Sequence, residues 1–258
     1  MQDIQSQKDQ RGIPLEFVGV KKLAMPLLIL NKAKKLQTVS ALINFYTDLE
    51  HQTKGQHLSR FIEILYKNRD IPLTPQALTI IAREAKKKIN AKYIYIEASF
   101  TYFIPKKSPV SKKYSFGSYN CKMIYKDVLD DVKTKTIVSV PVLLLCPCSK
   151  AISKYNAHNQ RAIVTVEVDM AKNIWIEDLV KIVEKEGSCE IYPLLKRPDE
   201  KYVTETSYKN PKFVEDIVRD VALKIRKISN IKSFNVECES FESIHNHNAY
   251  AKYASTNN

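Results

Sequence analysis

The sequence predicts an α+β fold in which antiparallel sheets are covered by helices on one face. Residues 92–104 alternate between apolar and polar side chains, as a strand with one buried face does. Residues 75–89 repeat apolar side chains at the spacing of one helix face. Both halves of the chain show the order strand, strand, helix, helix, strand, strand. We therefore expect two tandem β-β-α-α-β-β modules.

The first predicted module occupies residues 15–130 and follows an N-terminal arm at residues 1–14. Its strands are runs of β-branched and aromatic residues between turn residues. They are predicted within residues 15–50, with a break at 31–35, and at 92–104 and 119–128, with a long loop over 105–115. Its helices are predicted near 61–66, with Ser59 as the candidate N-cap, and after Thr74-Pro75, where a capping residue precedes a proline.

The second predicted module occupies residues 131–258. Its strands are predicted at 136–145, 162–169, 234–239 and 249–253. Its helices are predicted at 175–186 and from Asn210-Pro211 onward, each with an apolar stripe. The two halves share no visible sequence identity, so the repeat concerns the order of elements only.

Composition indicates a folded protein without a membrane span. Hydrophobic residues make up 44% of the chain, and no segment approaches the roughly 18 consecutive apolar residues that a membrane helix needs. The first residues lack the basic and then apolar pattern of a secretory signal, so we expect a cytoplasmic protein. Five cysteines, two of them separated by one proline, indicate thiol or metal chemistry and not a disulfide framework.

The net charge of +13 is concentrated in the first half of the chain. Residues 1–130 carry 22 Lys and Arg against 11 Asp and Glu, whereas residues 131–258 carry 19 against 17. Such an excess attracts a polyanion, which could be nucleic acid or a nucleoside triphosphate. Solvated lysine faces would give the same composition, so charge alone does not decide.

Two thiols and an imidazole follow the apolar strand that ends at Leu145. Cys146 and Cys148 come directly after it, and His158 follows ten residues after Cys148. Thiolate and imidazole are ligands that zinc prefers, and a loop at a strand end can present them without burying unpaired backbone. Glu200 is the candidate third ligand, because such a set leaves one position open for water. A solvated charge cluster is the alternative interpretation of the stretch around Glu200.

Two further polar stretches are candidates for the same site. His245 and His247, if their backbone is extended, project to one side, as paired proton transfer or metal binding would require. Glu215 is expected in the first turn of a helix, where a carboxylate is favoured by the helix dipole. It could also face the site.

Taken together, these stretches resemble the GTP cyclohydrolase IB family, which is metal-dependent. The resemblance covers nearly the whole chain, and its motifs are Arg11-Gly12-Ile13-Pro14, Lys54-Gly55-Gln56-His57-Leu58-Ser59-Arg60-Phe61, Cys146-Pro147-Cys148-Ser149-Lys150, Ala157-His158-Asn159-Gln160-Arg161, Leu195-Lys196-Arg197-Pro198-Asp199-Glu200-Lys201, Asn210-Pro211-Lys212-Phe213-Val214-Glu215-Asp216 and Glu242-Ser243-Ile244-His245-Asn246-His247. It implies the tunnelling fold, with two modules per chain, and a barrel-like homotetramer with sites at subunit interfaces. The implied reaction converts GTP and water to 7,8-dihydroneopterin triphosphate and formate, the first step toward folate.

The resemblance also implies roles for individual residues. The metal ligands are Cys146, His158 and Glu200, and the metal is zinc, with manganese or iron as alternatives. The expected catalytic residues are Cys148, Glu242, His245 and His247. Glu215 is expected to bind the guanine edge. The cations expected at the triphosphate are Lys54, His57, Arg60, Lys150 and Arg197.

Two other functions remain open at this stage. A nitrile reductase of the same fold would use NADPH and a covalent thioimide on a cysteine, and would have no use for a Cys, His, Glu metal set. A basic nucleic-acid-binding module with a structural zinc would need four protein ligands and would bind in a salt-sensitive way. The spacing of the cysteines counts against that module. We therefore expect GTP as the substrate and no nucleic acid or membrane as a partner.

Overall fold

The computed structural model describes residues 3–170, 174–229 and 231–255. The outer ends of the predicted arm and of the second module, at residues 1 and 258, therefore lie outside the described residues. The elements in the described part are β1 (Leu15–Leu30), β2 (Leu36–Leu49), α1 (Leu58–Lys67), α2 (Pro75–Ile89), β3 (Tyr93–Lys107), β4 (Tyr114–Val128), β5 (Asp131–Leu145), α3 (Pro147–Ile152), β6 (Asn159–Met170), α4 (Ile176–Glu186), β7 (Cys189–Glu190), α5 (Arg197–Lys209), α6 (Val214–Ile225), β8 (Ile231–Ser240) and β9 (Ala249–Ser255).

The nine strands belong to one sheet. They are hydrogen-bonded in the order β1-β2-β3-β4-β5-β6-β8-β9, and β7 pairs with β5. The pairs β1 with β2, β2 with β3, β6 with β8 and β8 with β9 are antiparallel. The prediction of two tandem modules that close into a barrel-like assembly is therefore wrong. The correct description is one nine-stranded antiparallel sheet with six helices in the described part of the chain.

The second half departs from the predicted order because it contains three elements that have no apolar period. These are the short helix α3, the two-residue strand β7 and the polar helix α5. Helix α5 buries only Asp199 and Ser207, so it has no apolar stripe that would reveal it. Apolar periodicity predicts amphipathic elements only, so these three elements were not predicted.

Most of the predicted periodic elements are present. The break between the first two strands falls where it was expected, and Thr74 caps α2 by accepting a hydrogen bond from the Ala77 amide at 3.1 Å. The cap predicted for α1 is wrong, because His57 occupies the N-cap position and Ser59 lies inside the helix. The predicted loop over 105–115 is also too long, since β3 continues to Lys107 and β4 begins at Tyr114.

The chain divides into two compact units. The first comprises Met1–Thr101 and Lys122–Thr136, and the second comprises Tyr102–Cys121 and Ile137–Asn258. In the first unit Phe45 and Phe61 are fully buried and meet edge to face at 5.0 Å. The domain boundary predicted at residue 131 stays a prediction. None of the helices in the described ranges is long and apolar enough to cross a membrane.

The second unit contains the frame of the candidate site. Its core consists of strand and helix residues with no exposed surface, among them Val138, Val164, Leu179 and Ile217. At one end of the sheet, Ala162 of β6 pairs with Ser240 of β8, and Ser240 pairs with Ala249 of β9. Helix α6 packs on β8 and β9 with its buried face. The ends of these elements surround one pocket.

Candidate active site

The second unit contains a pocket of about 260 Å³. Six of the residues that the sequence singled out line it, namely Cys146, His158, Glu215, Glu242, His245 and His247. They come from four places in the chain: the end of β5, the start of β6, the first turn of α6 and the loop between β8 and β9. The fold therefore brings together thiol, imidazole and carboxylate groups that are up to 101 residues apart in the sequence.

Cys146 lies at the junction between β5 and α3. It is the N-cap of α3, and its sulfur accepts a hydrogen bond from the Ser149 amide at 3.4 Å. Pro147 occupies the first helical position, where its missing N–H costs nothing. The Cys146 amide donates to the His158 carbonyl at 3.1 Å, so the backbone joins the two segments that carry the thiol and the imidazole.

His158 is oriented by a chain of hydrogen bonds. Its Nδ1 lies 2.9 Å from Gln160 Oε1 and 3.1 Å from Ser243 Oγ. Gln160 Nε2 donates to Glu242 Oε1 at 3.0 Å. Because an ionised carboxylate only accepts hydrogen bonds, the amide group of Gln160 turns its oxygen toward His158. In the tautomer that carries its proton on Nδ1, His158 donates to Gln160 Oε1, and Nε2 retains the lone pair that a metal ligand needs.

Gln160 and Ser243 are site residues that the sequence reasoning did not assign. Gln160 follows His158 by two residues at the start of a strand, so the two side chains share one side of the sheet. The sequence signal was present, since Gln160 belongs to the motif Ala157-His158-Asn159-Gln160-Arg161 and Ser243 to the motif Glu242-Ser243-Ile244-His245-Asn246-His247. The contact between Gln160 and Glu242 had no such signal, because 82 residues separate them.

Glu215 is the second residue of α6 and is exposed at the mouth of the pocket. The predicted helix was expected to begin at Asn210-Pro211, but it begins at Val214. Burial raises the pKa of Cys238 to about 12, and the charge of Glu215 contributes in the same direction. The Glu215 carboxylate is therefore close to the end of β8, where Cys238 is completely buried.

His245 and His247 lie side by side in the loop between β8 and β9. Their rings stack with centroids 5.1 Å apart and an angle of 17° between the planes. The backbone here is not extended but forms a series of bends. The two imidazoles nevertheless face the same pocket, together with Glu242.

Four predicted site residues of the second unit are not among those that line the pocket. Cys148 is exposed on α3, while Arg197 and Glu200 are exposed in the first turn of α5. Lys150 is engaged elsewhere, because its Nζ donates to the Tyr208 carbonyl at 2.6 Å and lies 4.3 Å from the centre of the Tyr208 ring. In the described chain, therefore, α5 does not deliver Glu200 to Cys146 and His158.

The start of α5 is held by Asp199, which the sequence reasoning did not assign. This carboxylate is completely buried and accepts hydrogen bonds from Lys196 N, Val110 N, Ser111 N and Ser111 Oγ. Burial by itself would raise the pKa of Asp199, but the hydrogen bonds from Ser111 and the backbone lower it well below its usual value. Asp199 thus ties the turn that carries Arg197 and Glu200 to the β3–β4 hairpin.

The remaining predicted cations, Lys54, His57 and Arg60, belong to the first unit. His57 Nε2 lies 3.2 Å from Asp3 Oδ2, and Lys54 Nζ donates to Gln7 Oε1 at 3.4 Å. His57 and Arg60 line a small pocket of about 150 Å³ in that unit. The N-terminal arm therefore packs on the segment that precedes α1.

The pocket offers part of the donor set that a metal ion needs. Cys146 and His158 offer the sulfur and nitrogen donors that zinc prefers, and the hydrogen bond on Nδ1 leaves Nε2 of His158 available. A third donor is not in place, since in the described residues no group of three or more His, Cys, Asp or Glu side chains is arranged to hold a metal ion. The chain thus provides two donors that fit a metal, and the three-ligand set is incomplete.

Comparison with known proteins agrees with the sequence motifs. The family model described as "Type I GTP cyclohydrolase folE2" matches residues 1–251. GTP cyclohydrolase FolE2 of Thermosipho africanus is 48% identical over 251 residues, which cover 97% of this chain and 96% of that protein. The FolE2 protein of Thermosipho melanesiensis is 47% identical over 256 residues, which cover 99% and 98% of the two chains.

Solved structures with a similar fold include urate oxidases. The uricase of Arthrobacter globiformis has a TM-score of 0.55 and 8% identity, and the match covers 93% of each chain. Urate oxidase of Bacillus subtilis 168 has a TM-score of 0.54 and 6% identity, over 93% of this chain and 98% of that chain. At such low identity these structures inform the fold alone.

Proposed function

The chain belongs to the type I GTP cyclohydrolase folE2 family, and we propose that the Cys146–His158 pocket is where it acts on GTP. It is a GTP cyclohydrolase of folate biosynthesis, which converts GTP and water to 7,8-dihydroneopterin triphosphate and formate. The observation that supports this location is the convergence of six motif residues on one pocket of the second unit.

The volume of the pocket suits the purine part of the substrate. Its volume of about 260 Å³ is below the range of roughly 300–1,000 Å³ that is typical of sites for whole ligands. The base fits such a space, whereas the triphosphate has to extend beyond it. Glu215, at the mouth, would accept hydrogen bonds from the ring N1–H and the exocyclic amino group of guanine.

Triphosphate binding is assigned by charge. The residues that we propose to bind the triphosphate are Lys54, His57, Arg60, Lys150 and Arg197. They belong to motifs that resemble those of the family, and the net charge of +13 favours binding of a polyanion. Lys150 has to leave the Tyr208 carbonyl to take part. We also propose a homotetramer with sites at subunit interfaces. In such an assembly a neighbouring copy can supply some of these cations to the site.

A divalent cation is proposed as the cofactor. Cys146 and His158 would hold it, and zinc is the first candidate, followed by manganese and iron. Glu200 is the proposed third ligand, and because it does not line the pocket it has to move there or come from a neighbouring copy. When bound, such a cation supplies Lewis-acid activation of water. Gln160 keeps the proton of His158 on Nδ1, and Glu242 in turn keeps the amide group of Gln160 in place.

Opening the imidazole ring of guanine needs a proton at a ring nitrogen and the removal of another from the attacking water. The stacked imidazoles of His245 and His247 are suited to both transfers, because histidine changes its charge near neutral pH. Glu242 lines the same pocket and accepts a hydrogen bond from Gln160. Cys148, which is exposed on α3 two residues after Cys146, is proposed as an additional catalytic thiol.

The cytoplasm is the proposed location. All five cysteines are free thiols, as is usual in a reducing compartment. Of the other functions considered, a nitrile reductase is not favoured, because the family model and the curated relatives are GTP cyclohydrolases.

The test uses protein stripped of metal with a chelator and then supplied with GTP and zinc or manganese. Formate release and pterin fluorescence after oxidation are followed together. We expect both products only with metal, and neither with Cys146→Ala or His158→Ala. Cys189→Ala is the matched control, since it removes a buried thiol of the same unit that lies outside the pocket. A folded wild-type protein that turns over no GTP with any divalent metal would disprove the proposal.

A further inference from the structure

Ser240 has a hydroxyl group without a partner. The residue has no exposed surface, and its Oγ is the one buried side-chain nitrogen or oxygen in the described residues that makes no hydrogen bond. Ser240 also lines the candidate pocket. A buried hydroxyl without a partner destabilises a protein, so its presence at a binding site calls for a functional reason.

The surroundings of Ser240 leave room for a flat ligand. It is the last residue of β8, and its cross-strand neighbours on both sides are alanines, Ala162 and Ala249. Small side chains flank the hydroxyl, and Ala249 also lines the pocket. Small side chains therefore separate the Ser240 hydroxyl from the pocket space at this end of the sheet, so that a bound base can approach it closely.

Ser240 lies near the carboxylate that is expected to bind the base. Cys238, two residues earlier, is buried on the same face of β8, and the charge of Glu215 acts on its thiol. Glu215 and Ser240 also line one pocket. A carboxylate that only accepts hydrogen bonds thus stands close to a hydroxyl that can donate one.

These two groups complement one edge of guanine. N1–H and the exocyclic amino group are donors, which suit Glu215, whereas the neighbouring O6 is an acceptor that a carboxylate repels. We propose that the Ser240 hydroxyl donates a hydrogen bond to O6 of the guanine base. This inference rests on the proposed function, and it makes Ser240 a residue that selects for a 6-oxo purine.

The first experiment compares Ser240→Ala with wild type in the metal-loaded enzyme. We expect kcat/KM for GTP to fall about tenfold, as for the loss of one hydrogen bond to a buried acceptor. The melting temperature is expected to stay the same or rise, because the substitution removes a hydroxyl that has no partner in the protein. Ser207→Ala is the matched control. That serine is equally buried, but its hydroxyl donates to the Thr204 carbonyl at 2.9 Å, so its loss should not raise the melting temperature or change kcat/KM.

A second experiment tests whether O6 of guanine is the atom that accepts the hydrogen bond. 6-Thioguanosine 5′-triphosphate keeps N1–H but carries sulfur, a weaker acceptor, in place of O6. Ser240→Ala should therefore affect this analogue much less than it affects GTP. Equal losses on both nucleotides, or an unchanged kcat/KM for GTP in an active enzyme, would overturn the assignment to O6. A wild-type enzyme that does not act on GTP would instead contradict the proposed function, so the two failures are distinguishable.

Discussion

Gln160 Oε1 lies 2.9 Å from His158 Nδ1, while the amide nitrogen of the same Gln160 donates to Glu242. One side chain thus connects an imidazole to a carboxylate across the pocket. Because partners of this kind set the tautomer of a ligating histidine, Gln160 is a positioning residue whose effect passes through His158.

Gln160→Leu is expected to weaken zinc binding about 10- to 100-fold, because Nδ1 of His158 then loses its principal acceptor. Zinc affinity is measured by competition with a chromogenic chelator. Gln160→Glu keeps an acceptor for Nδ1 and should lose less affinity than Gln160→Leu. Wild-type zinc affinity in a folded Gln160→Leu protein would show that the hydrogen bond does not orient the ligand.

The five cysteines are expected to react with iodoacetamide in two classes. Burial raises the pKa of Cys121 and of Cys238 to about 12 and that of Cys189 to about 11, so these thiols are protonated and inaccessible near pH 8. Cys148 is exposed and Cys146 is half-buried, so both should be alkylated in the native protein. Peptide mass spectrometry reads out the pattern, and added zinc should protect Cys146. Early labelling of Cys121 would contradict the buried positions.

Lys106 is expected to be essential to a buried ion network in the second unit. Its Nζ lies 2.5 Å from Glu184 and 3.1 Å from Glu190, and Tyr119 also donates to Glu184. Lys106→Met leaves Glu184 buried without its cation, which typically costs about 3–5 kcal/mol of unfolding free energy. Urea denaturation measures the loss, with the exposed neighbour Lys107→Met as the matched control.

The destabilisation caused by Lys106→Met is expected to depend on pH. Burial raises the pKa of Glu184, although Lys106 acts in the opposite direction. When the pKa of a carboxyl is higher in the folded than in the unfolded protein, the free energy of unfolding falls as the pH rises through the folded pKa. The loss in Lys106→Met should therefore be smaller at acidic pH, and Lys106→Met combined with Glu184→Gln should be more stable than Lys106→Met alone.

Asp199 is expected to stabilise the folded protein at neutral pH and to lose this effect in acid. Its folded pKa is lowered, so its contribution is complete above the unfolded value of about 3.9 and disappears as the pH falls through the folded pKa. Asp199→Asn should lower the melting temperature at neutral pH and flatten its decline toward acid. Glu205→Gln, an exposed substitution on the same helix, is the control. A neutral-pH melting temperature equal to wild type would rule out this role.

Local patterns predicted a large part of the molecule. Residues 75–89 form the expected helix with the expected cap, and the strand pairs at 15–49 follow the expected break. The motif around Cys146 and His158 was also recognisable, because the two residues are close along the chain. Helix α5 was not predicted, since its stabilising contacts are made by the polar residue Asp199 and not by an apolar stripe.

The sequence by itself determined the periodic elements and the identity of the reactive side chains, because periodicity records which face of an element is buried. Only the tertiary structure decided how the polar groups are paired. Gln160 meets Glu242 across 82 residues, and Asp199 meets Ser111 across 88. The unpartnered hydroxyl of Ser240 likewise appears only when three strands and a helix are packed around it. A hydrogen bond requires two groups within about 3 Å, and for distant residues that distance is set by the path of the whole chain.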